Sequence, residues 1–144
     1  MLVIRATPAN PSAAVEEMVD QAILSSDRYV IQGEDAGREL LYGVSVFAHR
    51  DGQDLTDVLY RFPAAPMFVE AAVGVIRGVS FEVLPTGTDT DHFDVQLISG
   101  VTEADVPPSE DDVRAAANRL FDAAAPIRPN PSYAVGGPVR FEEE

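Results

Sequence analysis

The chain has 144 residues, 46% of them hydrophobic, so it is long enough for one globular domain with its own core, and 24 acidic against 10 basic residues give a formal charge of -14. This balance excludes a collagen, a mostly disordered chain and a disulfide-stapled miniprotein. There is no cysteine and every basic residue is arginine, which removes disulfides, thiolate metal sites, cysteine nucleophiles, Schiff-base lysines and a Walker A loop.

Residues 2–6 are apolar and β-branched and predict a first strand, broken by Thr7 and Pro8. Asn10 is a good helix cap and Pro11 a good first helical residue. Val15, Met18, Val19, Ala22 and Ile23 then recur at helical spacing, with Glu16, Glu17 and Asp20 on the wet side. This predicts a helix over 11–25. Residues 28–32 are β-prone, Gly33 to Gly37 is a turn signal, and 40–49 predict a strand, the two segments pairing as a hairpin. Both faces of the second strand are largely apolar, which places it centrally in a sheet.

Asp54 is positioned to cap a short helix to about Phe62, with Leu55, Val58, Leu59 and Phe62 as its stripe and Pro63 as its stop. Residues 67–70 predict a strand. Residues 71–79 predict a short helix weakened by Gly74 and Gly78, followed by a strand over 81–84. A polar loop over 85–91 leads to Phe93, Val95 and Leu97, which alternate with Asp94 and Gln96 as in a half-buried strand. After a linker over 100–108, Ser109 and Asp112 form a capping-box signature, three acids fill the first turn, and Val113, Ala116, Ala117, Leu120, Phe121 and Ala124 form a stripe that Pro126 ends. The order predicts an α+β domain over 1–126. It has a mixed or antiparallel sheet of about five strands, packed by two amphipathic helices and one or two short ones. A doubly wound parallel sheet fits less well, because the connections at 33–37 and 85–91 are too short for crossovers. Residues 127–144 are rich in proline and glycine and read as an extended arm or tail.

Chemistry is sparse. Two histidines, His49 and His92, cannot build a three-histidine zinc site within one chain. Asp89 and Asp91, beside His92, are weak metal candidates. The calcium-loop pattern fails there, with Asp94 at position six and Gly100 at position twelve, and a solvated turn accounts for these residues equally simply. Ser45 and His49 fail as a nucleophile–base pair, because four strand residues at about 3.3 Å each set them roughly 13 Å apart. Ser45 then reads as a core-facing serine bonded to backbone, and His49 as a surface residue. Arg5, Arg28, Arg38 and Arg77 fall at strand ends or turns in this reading. Arginine suits bidentate phosphate or carboxylate recognition, so Arg77, His92 and Glu82 are the candidate catalytic set if the protein is an enzyme, and ordinary surface pairing is the plainer account.

Residues 1–100 carry fifteen acids and six arginines, residues 101–124 six and two, residues 125–144 three and two, so no segment is basic. Phosphate neutralisation dominates nucleic-acid affinity, so direct nucleic-acid binding is not expected, and anionic membrane surfaces are disfavoured for the same reason. A basic protein partner would be steered in. The sequence therefore points first to a small acidic interaction protein, of inhibitor, immunity, antitoxin or adaptor type. Glu110, Asp111, Tyr133 and Phe141 are its contact residues, and no cofactor or metal is expected. Cytoplasmic residence is expected because neither a secretory h-region nor a run of about 20 apolar residues occurs. The alternatives are a small nucleotide- or RNA-directed enzyme (nucleotidyl or ADP-ribosyl transfer, or ribonuclease-like) and a nucleic-acid mimic.

Overall fold

A computed structural model describes residues 1–30 and 39–133. The elements are β1 (Leu2–Thr7), α1 (Pro11–Leu24), a 3₁₀ turn (Ser25–Asp27), β2 (Gly43–His49), α2 (Leu55–Leu59), β3 (Met67–Ala72), α3 (Val73–Gly78), β4 (Glu82–Pro85), β5 (His92–Gln96), α4 (Glu110–Ala123) and β6 (Arg128–Pro129). They form an α+β fold around a six-stranded sheet of order β4-β5-β2-β1-β3-β6, in which every pairing is antiparallel. The sixth strand is only two residues long and pairs with Met67 and Phe68. None of the described helices is long and apolar enough to cross a membrane.

Local chemistry sets the two long helices. The Asn10 side chain accepts from the Ala13 N–H at 2.8 Å, with Pro11 as the first helical residue. Ser109 and Asp112 form a reciprocal capping box at α4. Val15, Met18, Val19 and Ala22 of α1 pack with Val113, Ala116, Ala117 and Leu120 of α4 against one sheet face, built from Val3, Val44, Val46, Val83 and Val95. Ile23, expected in that stripe, is exposed. At about 100° per residue Ala14 shares the buried arc and Ile23 falls at its edge. The other sheet face is covered over β1 and β3 by α2, whose Val58 and Leu59 bury Ile4 and Phe68. The α2 helix stops at Leu59, short of the expected Phe62.

Two strands differ from expectation. The strand expected over 40–49 begins only at Gly43. Tyr42 has φ of 43°, a left-handed conformation that no strand residue adopts. Tyr29 and Leu40 nevertheless bridge antiparallel, as a hairpin requires, and the turn expected between them lies outside the described residues. Along β5, Asp94 and Gln96 are buried as deeply as Val95, although alternation suggested a wet face. The cause is that other segments lie over this face: Thr86 and Arg28 meet Asp94, and Glu39 and the Leu40 carbonyl meet Gln96. Gln96 donates to Glu39 Oε2 at 3.0 Å.

Beyond α4 the chain returns to the body. Asn130 is buried; its Nδ2 donates to the carbonyls of Phe62 and Ala65, both at 2.9 Å.

Candidate functional site

The site lies where β1 and β2 part. Their register runs only from Leu2↔His49 to Ile4↔Phe47. Beyond it the backbone of Ser45 is satisfied by side chains instead of a strand. Its N–H donates to Gln21 Oε1 at 2.8 Å and its carbonyl accepts from Arg5 Nη1 at 2.9 Å. Arg5 Nη1 also donates to Gln21 at 2.7 Å, and Arg5 Nη2 meets Glu17 at 3.3 Å. A cleft of about 250 Å³ opens at this parting, lined by Arg5, Ala6, Glu17, Gln21, Ser45, Phe47 and Phe62. Ala6, Glu17 and Phe62 also line a larger cleft of about 590 Å³ walled by Pro8, Arg61, Pro63 and Pro66.

Directly opposite residues of an antiparallel pair share a face, and so do residues two apart along a strand. The pairs Ser45↔Asp94 and Phe47↔His92 therefore set four side chains on one face. Ser45 Oγ lies 2.9 Å from His92 Nε2, His92 Nδ1 lies 2.9 Å from Thr86 Oγ1, and Thr86 Oγ1 donates to Asp94 Oδ2 at 2.7 Å. Each hydroxyl has one proton and a carboxylate can only accept, so the donors are ordered. Thr86 donates to Asp94, His92 Nδ1–H donates to Thr86, and with the imidazole neutral Ser45 donates to His92 Nε2. The Asp94 side chain is 4% exposed, with Arg28 Nη2 at 3.7 Å as its counter-charge. Phe47 packs on the His92 ring at 5.1 Å between centroids and on Phe62 at 5.0 Å, with the Arg61 guanidinium 4.7 Å from the Phe47 centroid on its other contact.

Arg5 is the charge at the base of the cleft. The sequence suggests a strand end; the structure puts it inside β1 and buries it. Burial pushes its guanidinium below the ordinary value, while the charges of Glu17 and Asp94 oppose that shift. Its Nε has no hydrogen-bond partner.

The residues expected from sequence are distributed as follows. His92 belongs to the relay. Arg77 sits in α3 and reaches the Val83 carbonyl at 3.4 Å, while Glu82 is an exposed residue of β4 paired in register with Gln96. No hydrogen bond or ion pair joins Arg77, Glu82 and His92. Asp89 and Asp91 are each held by an arginine, Arg61 and Arg50 respectively, both at 3.2 Å. Arg61 and the Asp91 N–H keep the Asp89 carboxyl below its usual range, the backbone bond contributing most. Among the described residues no group of three metal-ligating side chains forms. Glu110 and Asp111 share Arg114 with Glu16, at 2.8, 3.2 and 2.6 Å. Tyr133 is exposed at the end of the described chain; Phe141 and Arg38 lie outside the described residues.

Ser45 and His49 needed correction. The Ser45 hydroxyl bonds a histidine side chain rather than backbone, and that histidine is His92. His49 is no free surface residue: its Nδ1 lies 2.6 Å from Glu70 Oε2 and its Nε2 2.9 Å from the Gln53 carbonyl. The missed pairing left one trace in the sequence, the matching two-residue spacings Ser45–Phe47 and His92–Asp94; which spacing faces which is decided by register alone. Compared with known proteins, the chain matches no family model, no curated protein and no solved structure.

Proposed function

We propose that the chain is a small acidic interaction protein that takes a basic protein partner. One observation carries this reading. Of the ten arginines, Arg38 and Arg140 lie outside the described residues, and all the others are engaged internally. Arg5, Arg28, Arg50, Arg61, Arg114 and Arg128 face carboxylates, Arg77 reaches a carbonyl, and Arg119 stacks on Phe81. Exposed Asp20, Asp27, Asp51, Asp57, Glu82 and Asp122 enter no ion pair among the described residues. The field presented outward is thus carboxylate, and it favours encounter with a cationic surface. A nucleic-acid mimic is a weaker fit at α4, because Arg114 interrupts the row formed by Glu16, Glu110 and Asp111.

The test is capture by the tagged full chain from its own host at about 0.05 M and about 0.3 M salt, where the screening length differs about 2.4-fold. The expected result is a protein with a basic surface, retained at low salt and shed at high salt. Its retention falls when Asp20, Asp57 and Asp122 are changed together to Asn. Recovery of no basic protein, or retention indifferent to both salt and these changes, would end this reading.

A further inference from the structure

We propose that Ser45 is the nucleophile of an acyl-transfer site, activated by His92, whose substrate is an uncharged ester with an apolar acyl part. This activity is independent of partner binding. The hydroxyl-to-imidazole distance of 2.9 Å is within the reach that general-base activation needs. The bond order along the relay puts the imidazole in the required tautomer: Nδ1 carries the proton, held toward Thr86 Oγ1 at 2.9 Å and the Thr86 carbonyl at 3.3 Å, so Nε2 is free to accept. Thr86 and Asp94 are positioning residues, acting through His92. Ser45 is one of the residues lining the 250 Å³ cleft, and in this proposal the reacting carbonyl sits there.

The cleft selects the substrate class. Ala6, Phe47 and Phe62 give it apolar walls, and Pro63 and Pro66 wall the larger cleft that shares Ala6 and Phe62. Glu17 in the lining and the net charge of -14 disfavour an anionic substrate. Arg5 Nη2 makes one bond, to Glu17, which leaves an N–H for charge developing on a carbonyl oxygen.

In the first step the Ser45 Oγ–acyl carbon bond forms, the Ser45 proton passes to His92 Nε2, and the ester C–O bond breaks as the leaving alcohol takes that proton. In the second, water bonds to the acyl carbon and gives a proton to His92. The Ser45–acyl bond then breaks, and Ser45 regains its proton as the carboxylic acid departs. No redox partner is involved.

The experiment treats the full chain with a fluorophosphonate probe, which forms a serine O–P bond with loss of fluoride, and maps the adduct by mass spectrometry; p-nitrophenyl butyrate hydrolysis is followed in parallel. The expected result is one adduct, on Ser45, with p-nitrophenolate release. Ser45→Ala abolishes both, and His92→Ala slows labelling by about 10²–10⁴-fold. Thr86→Val slows labelling while Thr86→Ser restores most of the rate, with thermal melts showing that each variant is folded. A wild-type chain that carries no adduct at Ser45 overturns the proposal whatever the variants do. Labelling of the folded His92→Ala protein at the wild-type rate overturns it equally.

Discussion

Asn130 shows how much one buried side chain holds in this protein. Besides its two carbonyl contacts, its Oδ1 accepts from the Ser132 N–H at 2.8 Å. It therefore ties the segment after α4 to the turn after α2. Asn130→Ala leaves the Ala65 carbonyl and the Ser132 N–H without their side-chain partner, while the Phe62 carbonyl keeps the Ala65 N–H at 3.2 Å, and is expected to cost about 1–3 kcal/mol in urea unfolding. Glu70 illustrates a charge effect. It lies between His49 and Arg128, at 2.6 and 3.0 Å. The hydrogen bond to Glu70 raises the His49 imidazole above its ordinary value, against partial desolvation. A group raised in the folded state stabilises fully below its unfolded value of about 6.5, and that stabilisation is lost as pH rises through the folded value. The unfolding midpoint should therefore fall between about pH 6 and about pH 8.5 in the native chain and fall less in Glu70→Gln, as read from thermal melts. Parallel pH profiles in the two proteins would refute the coupling.

Two glycines distinguish crowded from open elements. In β2, a Cβ on Gly43 would meet Asp94 Cβ and Leu41 Cγ, each at 3.0 Å. Both neighbours are buried and cannot swing away. Gly43→Ala is expected to destabilise by about 1–3 kcal/mol and, by pressing on Asp94, to disturb the relay to His92. In α3, a Cβ on Gly74 meets nothing within 4 Å. Gly74→Ala is expected to stabilise by about 0.5–1 kcal/mol, because alanine is the better helix former. Guanidinium titration of the two variants should therefore shift midpoints in opposite directions.

For the molecule as a whole, the charge of -14 implies self-repulsion that salt relieves. The thermal midpoint should rise between about 0.02 M and about 0.3 M sodium chloride; a falling midpoint would mean that the internal arginine pairs outweigh the repulsion. Truncation separates body from arm. Ending the chain after Pro126 removes β6 and Asn130, whose contacts lie within the body, and should lower stability. Ending it after Tyr133 leaves those contacts intact and should lower the midpoint less. Differential scanning calorimetry of both truncations makes the comparison.

The helices were legible in the residues themselves. Caps at Asn10 and Ser109, a proline at the start of α1 and apolar stripes at helical spacing act within a few residues of each other, so local chemistry settles α1 and α4. The short connections also pointed to antiparallel pairing, and the excess of acids was plain from the composition. The site was another matter. Ser45 and His92 are 47 residues apart, and nothing local to either names the other. Arg5 reads as a strand-end arginine until β1 and β2 part and its guanidinium takes the place of a strand beside Ser45. Asp94 and Gln96 read as solvent-facing until Thr86, Arg28, Glu39 and Leu40 close over them. Register between strands and the burial that follows from it are long-range outcomes of packing. They decide which polar side chains meet, whereas periodicity and capping decide only which segments form.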